Sequence, residues 1–357
     1  MKVLLASPNF HQPRGNTVTV QRISKGLEKL GIETEIISMT KDIRMSNLPH
    51  TDIVHGFHAY RFGKFIEGLG KIPETYMVTI TGTDLNMDLF DESKRVDVIR
   101  TLINASAIHV FDEEAKLVLS NEIAGIQEKI FVIPQGTVTF PVTSLDFRKE
   151  PGTFLFVLPA GIRKVKNIPF AIEQLEYLYM KKPHIRLWIV GPVIEEDEGQ
   201  IVKDLADKHN DWVQYLGQVP HKQMGEIYKL ADTVLNTSHS EGQPAAILEA
   251  MGYSVTVLAS NNLGNRNIIV NQETGFIYTN PIEFLDYAEK LVNNYEMRTK
   301  IGQAAKFYVE CNHSSEYEAR TLQKIYKSIL GKSPCKGERN MSREEIVKLT
   351  SLSSKGG

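Results

Sequence analysis

The chain has 357 residues, too many for one ordinary core and suited to two domains of roughly 150 residues each. Hydrophobic residues at 42% and charged residues at 24% exclude a wholly disordered chain. Lysine plus arginine (41) nearly balances aspartate plus glutamate (43), and a net charge of −2 gives no overall field to hold a nucleic acid. The amino-terminal MKVLLASPNF carries one lysine and an apolar run of about five residues, shorter than the central region of a signal peptide, and reads as a buried first strand. No stretch approaches the roughly 18 apolar residues needed to span a bilayer. The two cysteines, Cys311 and Cys335, fit neither a disulfide framework nor a zinc site, so a reducing, cytoplasmic setting is expected.

From the first strand to about residue 330, short apolar, β-branched runs alternate with segments of helical period, which predicts parallel sheets with crossover helices. The first half has strand candidates at 2–7, 35–39, 52–57, 75–81, 107–111 and 129–134; the second half has them at 153–160, 185–191, 213–217, 233–238, 256–260 and 275–279. Between the first two, Val20, Ile23, Leu27 and Leu30 recur at helical spacing and Gly31 follows as a left-handed cap. The stretch 140–152, FPVTSLDFRKEPG, mixes proline, glycine and charge without periodicity and reads as the linker. The expected division is therefore 1–148, 149–313, a final helix over 314–330 that suits either domain, and a polar tail over 331–357.

Several strand ends carry chemistry. After the first strand, SPNFHQPRGNTVT enters a helix, with Gly15 permitting close backbone approach to a ligand and Asn16 offering an amide side chain. DIVHGFHAY places His55 and His58 near a strand end, where they read as polar loop residues rather than metal ligands, and TITGTDLN ends the fourth strand in a turn bearing Thr81 and Asp84. AGIRKVKNIPF, 160–170, gathers Arg163, Lys164 and Lys166, cations able to stabilise the charge building on a leaving diphosphate without a metal. By itself such a segment is more commonly a solvated basic loop. LGQVPHKQM, 216–224, brings the backbone of Gln218 and Val219 toward a nucleobase position.

The most informative segment is SHSEGQPAAILEAMGY, 238–253, a strand end followed by a helix of small residues with Pro244 at its first position. The amides of Ala245, Ala246 and Ile247 would face the carboxyl edge of the sheet, a ready phosphate site. Glu241 before that helix and Glu249 within it suit recognition of sugar hydroxyls, because a carboxylate accepts two hydrogen bonds from a vicinal diol. Taken alone, the two acids would suit a solvated helix as well.

EGQPAAILEAM resembles the signature of the retaining family-four glycosyltransferases, two glutamates separated by seven residues. The resemblance covers roughly residues 1–330. It implies the α/β GT-B fold, two facing Rossmann-like doubly wound domains with a cleft between them, the acceptor on the first and the donor on the second. It further implies that Glu241 contacts the donor sugar, Glu249 the nucleotide ribose, Arg163 and Lys166 the diphosphate, and the residues after Glu241 (Gly242, Gln243, Ala245, Ala246) the sugar hydroxyls. Pro244 has no amide hydrogen and departs from that pattern. Asn16 stands where a second glycine is usual, and Thr81 where many members carry a histidine that contacts the donor sugar; Thr81 and Asp84 fall on the acceptor and sugar side.

The arginine-x-valine-lysine form is similar to that of synthases joining N-acetylglucosamine to malate. GNTVT, TGTD and IRKVKN together are similar to the animal glycosyltransferase-domain-containing proteins and to bacterial selenosugar synthases, the first more closely because AAILEAM and LGN at 263–265 also fit. The implied activity is transfer of a hexose or N-acetylhexosamine from a nucleotide diphosphate sugar, UDP-sugar favoured, to a small-molecule acceptor, with retention and with neither metal nor other cofactor. A homodimer stays open. An epimerase of the same fold and a non-catalytic nucleotide-sugar binder are the rival expectations.

Overall fold

A computed structural model of the chain describes residues 1–10, 15–40, 47–144 and 146–331. Residues 11–14 of the first loop, Cys335 and the tail from 332 onward lie outside them. The described chain forms two compact units, Met1–Gly136 together with the last helix, and Thr137–Ser314. The division precedes the stretch 140–152 read as the linker. Phe140 and Phe147 explain why: both pack into the core of the second unit.

The first unit runs β1 (Lys2–Ser7), α1 (Gly15–Lys29), β2 (Glu33–Ser38), β3 (Ile53–Phe57), α2 (Ala59–Glu67), β4 (Tyr76–Thr79), α3 (Arg95–Asn104), β5 (Ala107–Val110), α4 (Glu113–Glu122) and β6 (Ile130–Val132). Its strands pair in the order β2-β1-β3-β4-β5-β6, all parallel. Val3, Leu4, Leu5 and Ala6 of β1 are all fully buried, because helices cover both faces; hence the strand is an unbroken apolar run. Gly31 takes φ 76°, the left-handed cap expected after α1.

The second unit runs β7 (Phe154–Pro159), α5 (Ile168–Lys181), β8 (Ile185–Val190), α6 (Glu196–Lys208), β9 (Val213–Gly217), α7 (Met224–Leu230), β10 (Thr233–Asn236), α8 (Ala245–Gly252), β11 (Thr256–Ser260), α9 (Leu263–Arg266), β12 (Phe276–Tyr278), α10 (Pro281–Asn293) and α11 (Tyr295–Asn312). Its parallel order, β12-β11-β10-β7-β8-β9, is the doubly wound arrangement whose direction of winding reverses between β7 and β10. Every strand expected from the sequence is present, with ends displaced by a few residues.

The last helix, α12 (Ser315–Gly331), returns to the first unit. Leu322, Ile325 and Tyr326 join Val3, Leu5, Val20, Ile23 and Leu27 in one apolar cluster. Each such side chain contributes roughly 1.5–3 kcal/mol on burial. Gly26 of α1 lets the helices touch: a Cβ there would stand 2.8 Å from that of Ala319. No helix among the described residues is long and apolar enough to cross a membrane.

His55 is not a loop residue. It lies within β3, fully buried, with Nδ1 2.6 Å from the Tyr326 hydroxyl and Nε2 2.6 Å from that of Thr79, which also meets His109 Nδ1 at 2.9 Å. Burial, with His109 nearby, holds the His55 pKa well below the usual histidine value; burial lowers that of His109 too. Below about pH 6.5 the unfolded chain takes up protons that the folded state refuses, so stability falls with falling pH, by up to about 1.4 kcal/mol per pH unit for each histidine. Melting temperatures between pH 7.5 and 5.5 should therefore drop, and His55→Gln should flatten the slope; an unchanged slope in the variant would remove His55 from the explanation.

Candidate active site

The loops after β7 and β10 flank the point where the second sheet reverses its winding, the place where such sheets bind ligands. After β7 the chain makes a short 3-10 turn, Lys164–Lys166, and Asn167, at φ 48° and ψ 45°, swings it into α5. That loop is tied to its neighbour: the His239 amide donates to Val165 O at 2.9 Å, and the Thr237 hydroxyl to Lys166 O at 2.8 Å. The cationic loop and the segment leading to Glu241 therefore form one ledge.

On it, Lys166 Nζ donates to Glu241 Oε1 at 2.5 Å. The same oxygen accepts from Ser238 Oγ at 2.6 Å and Asn236 Nδ2 at 3.0 Å. Burial alone would raise the Glu241 pKa, but the Lys166 charge and these three hydrogen bonds outweigh it and the value is lowered, so the carboxylate stays ionised. Arg163 is half-buried and makes no ion pair among the described residues, which leaves its guanidinium able to meet an anion. Lys164, by contrast, is exposed.

Behind Glu241 stand residues the sequence did not single out for this role. Asn236 Oδ1 accepts from the Ser238 amide at 3.1 Å and from Asn265 Nδ2 at 3.2 Å. Asn265 is fully buried and also donates to Ser260 O at 2.9 Å, while its own amide is capped by Asn262 Oδ1 at 3.1 Å. Asn236 and Asn265 thus fix the orientation of Glu241 from the interior. A Cβ on Gly264 would lie 2.1 Å from Gly242 O and 2.7 Å from Glu241 O, so the segment LGN admits the Glu241 loop only because its middle residue is glycine. Gly264→Ala is expected to displace that loop, costing about 1–3 kcal/mol of stability in the second unit. Thermal unfolding checks this; an unaltered melting temperature would show that the loop yields freely.

Pro244 caps α8 instead of opening it, at φ −74° and ψ 103°, and its carbonyl already accepts from the amides of Ile247 (3.1 Å) and Leu248 (3.3 Å). The amides directed off the helix end are therefore those of Ala245 and Ala246, and Ile247 drops out of the expected trio. Gly242 and Gln243 are half-buried in the turn. Glu249, 6% exposed, is held on both oxygens: Oε1 accepts from His221 Nε2 at 2.8 Å and Oε2 from the Tyr228 hydroxyl at 2.9 Å. Gln218 is exposed, whereas the Val219 side chain packs on the core.

The remaining expected residues belong to the first unit. Gly15 is exposed and opens α1, and Asn16 is half-buried. Asp84 does not face outward as a residue on the acceptor side would. It is fully buried, with Oδ1 accepting from the amides of Thr81 and Gly82 at 2.9 Å each and Oδ2 from that of Ala59 at 2.8 Å. Two turn amides and the first amide of α2 find their acceptor there, so Asp84 shapes the turn, while Thr81 is half-buried at its edge. His58 caps α2 and reaches the Thr83 hydroxyl at 3.0 Å. Among the described residues no group of three or more His, Cys, Asp or Glu is arranged to hold a metal.

Residues 144–307 match the family model described as glycosyl transferases group 1. The chain is 30% identical over 342 residues to glycosyltransferase 1 domain-containing protein 1 of Xenopus tropicalis, covering 91% of this chain and 97% of that one. It is 25% identical over 189 residues to D-inositol 3-phosphate glycosyltransferase of Pseudarthrobacter chlorophenolicus, spanning 52% of this chain and only 45% of that relative. Among solved structures it resembles sucrose-phosphate synthase from Thermosynechococcus elongatus, with a TM-score of 0.76 and 14% identity over 93% of this chain and all of the other. HepE of Anabaena, in complex with UDP and glucose, gives a TM-score of 0.73 and 15% identity over 92% of this chain and all of the other. These likenesses show the fold, which is the GT-B class expected from the sequence.

Proposed function

The chain belongs to the glycosyl transferases group 1 family, and from that premise we propose that it moves a hexose or N-acetylhexosamine from a nucleotide diphosphate sugar to a small acceptor, with retention and without a metal. The observation that carries the proposal is the ledge of the second unit, where Lys166 Nζ meets Glu241 Oε1 at 2.5 Å and Arg163 stands beside it without an ion-pair partner among the described residues. Those cations suit the diphosphate, the Ala245 and Ala246 amides and the half-buried turn at Gly242 and Gln243 suit the sugar, Glu249 the ribose hydroxyls, and the backbone of Gln218 and Val219 the base. UDP is the nucleotide to try first, since structural neighbours of this fold are complexes with UDP.

In the reaction, the bond between the anomeric carbon and the β-phosphate oxygen breaks and its electron pair stays on that oxygen. Arg163 and Lys166 stabilise the charge that appears there. Glu241, ionised and held by three hydrogen bonds on one oxygen, orients a sugar hydroxyl. The acceptor hydroxyl adds to the anomeric carbon on the face the diphosphate leaves, and its proton passes to the departing phosphate oxygen.

The test is incubation with UDP-glucose and UDP-N-acetylglucosamine in EDTA across an acceptor panel, reading nucleotide release and the anomeric configuration of the product by NMR. Acceptor-dependent UDP release with an α-linked product from the α-linked donor is expected. A β-linked product would overturn retention. Interconversion of donor sugars without nucleotide release would favour the epimerase, and tight binding without turnover the non-catalytic binder.

A further inference from the structure

Glu249 is a buried carboxylate gripped from two sides by groups on neighbouring elements. His221 opens the 3-10 turn His221–Gln223 after β9, and Tyr228 lies in α7. α7 comes this near because Gly225 has no side chain: a Cβ there would meet the Tyr253 hydroxyl at 2.5 Å and Phe140 Cβ at 2.7 Å. The His221 ring stands edge-on to Phe140, centroids 4.9 Å apart at 75°, so its direction is fixed as well. A carboxylate only accepts, hence Nε2 of His221 carries its proton. Burial, with the Glu249 charge beside it, raises the Tyr228 phenol well above its usual value, so the hydroxyl remains a donor through the physiological range. Each carboxylate oxygen has room for a second hydrogen bond. One hydrogen bond from the protein on each leaves one acceptor site on each, the number a vicinal diol requires.

We infer that His221 and Tyr228 are positioning residues that hold the Glu249 carboxylate square to a ribose diol, and that they thereby set a preference for ribonucleoside over 2′-deoxyribonucleoside diphosphates. The inference rests on the ribose contact proposed above for Glu249. If the carboxylate could turn, losing one hydroxyl from the ligand would cost less, because the remaining one could take the better geometry. Held from both sides, it charges the full loss to the deoxy ligand.

The experiment is calorimetric binding of UDP, GDP and their 2′-deoxy analogues to the full chain and to Glu249→Gln, Tyr228→Phe and His221→Ala. The wild type should bind its preferred ribonucleotide about tenfold or more tightly than the deoxy form, the loss of one hydrogen bond to a charged acceptor. Tyr228→Phe and His221→Ala should each narrow that ratio to about threefold or less by weakening the ribonucleotide, with the deoxy form nearly unmoved. His221 is half-exposed, so His221→Ala carries the test should Tyr228→Phe unfold the second unit. If Glu249→Gln loses the preference while both clamp variants keep it, the positioning inference is overturned and the ribose contact stands. If Glu249→Gln keeps it, or neither UDP nor GDP binds at millimolar concentration, the ribose contact fails and the inference with it.

Discussion

Replacing Glu241 by glutamine is expected to lower kcat by about 10²–10³-fold while UDP binds as tightly as to the wild type, or more tightly. The carboxylate is the meeting point of Lys166, Ser238 and Asn236, and its charge is what holds Lys166 in place before any ligand arrives. In the glutamine variant the 15%-exposed Lys166 side chain loses its counter-ion. A diphosphate then supplies the missing negative charge, so nucleotide affinity survives while the oriented contact to the sugar is lost. Steady-state kinetics beside UDP calorimetry separates the two effects. A parallel loss of UDP affinity and kcat would mean that Glu241 serves only to keep the loop folded.

The largest stability effect is expected in the first unit. Arg22 of α1 and Glu318 of α12 form a bidentate pair, Nε to Oε2 at 2.8 Å and Nη2 to Oε1 at 2.9 Å, with side chains 3% and 1% exposed. Removing one member of such a pair leaves an uncompensated buried charge, and Glu318→Ala should cost about 3–5 kcal/mol. The chain packs closely against it: a Cβ on Gly136 would stand 2.9 Å from Glu318 Oε2. The double change Arg22→Met with Glu318→Leu should recover most of the loss, because apolar side chains of similar volume leave no charge in the core. Denaturant unfolding measures both; a Glu318→Ala variant within about 1 kcal/mol of the wild type would show that water reaches Arg22.

The twelve strands were legible because strands covered on both faces read as short, unbroken β-branched runs, and VLLA or LFVL admits little else. The ledge was legible for a similar local reason: Arg163 and Lys166 lie three residues apart at one strand end, and Glu241 and Glu249 bracket one helix start. What sequence could not show was which groups answer them. Asn236 and Asn265 carry no charge and lie 29 positions apart, so nothing marked them as supports of Glu241. His221 meets Glu249 across 28 positions, and Arg22 meets Glu318 across 296, which is why the allegiance of α12 stayed open. Asp84 reads as a ligand contact because it is an aspartate in a turn at a sheet edge, whereas it is fully buried and accepts from the backbone amides of Thr81, Gly82 and Ala59.

The central claim is that the ledge of the second unit binds a nucleotide diphosphate. Thermal unfolding of the wild type, Arg163→Ala and Lys166→Ala in EDTA, with and without UDP, GDP and their sugar conjugates, tests it most directly. A ligand at about a hundred times its dissociation constant should add about 2.7 kcal/mol of stability, from one base series and without a metal, and both variants should lose most of it. Absence of stabilisation by any of these nucleotides at millimolar concentration, or equal stabilisation of wild type and variants, would contradict the account.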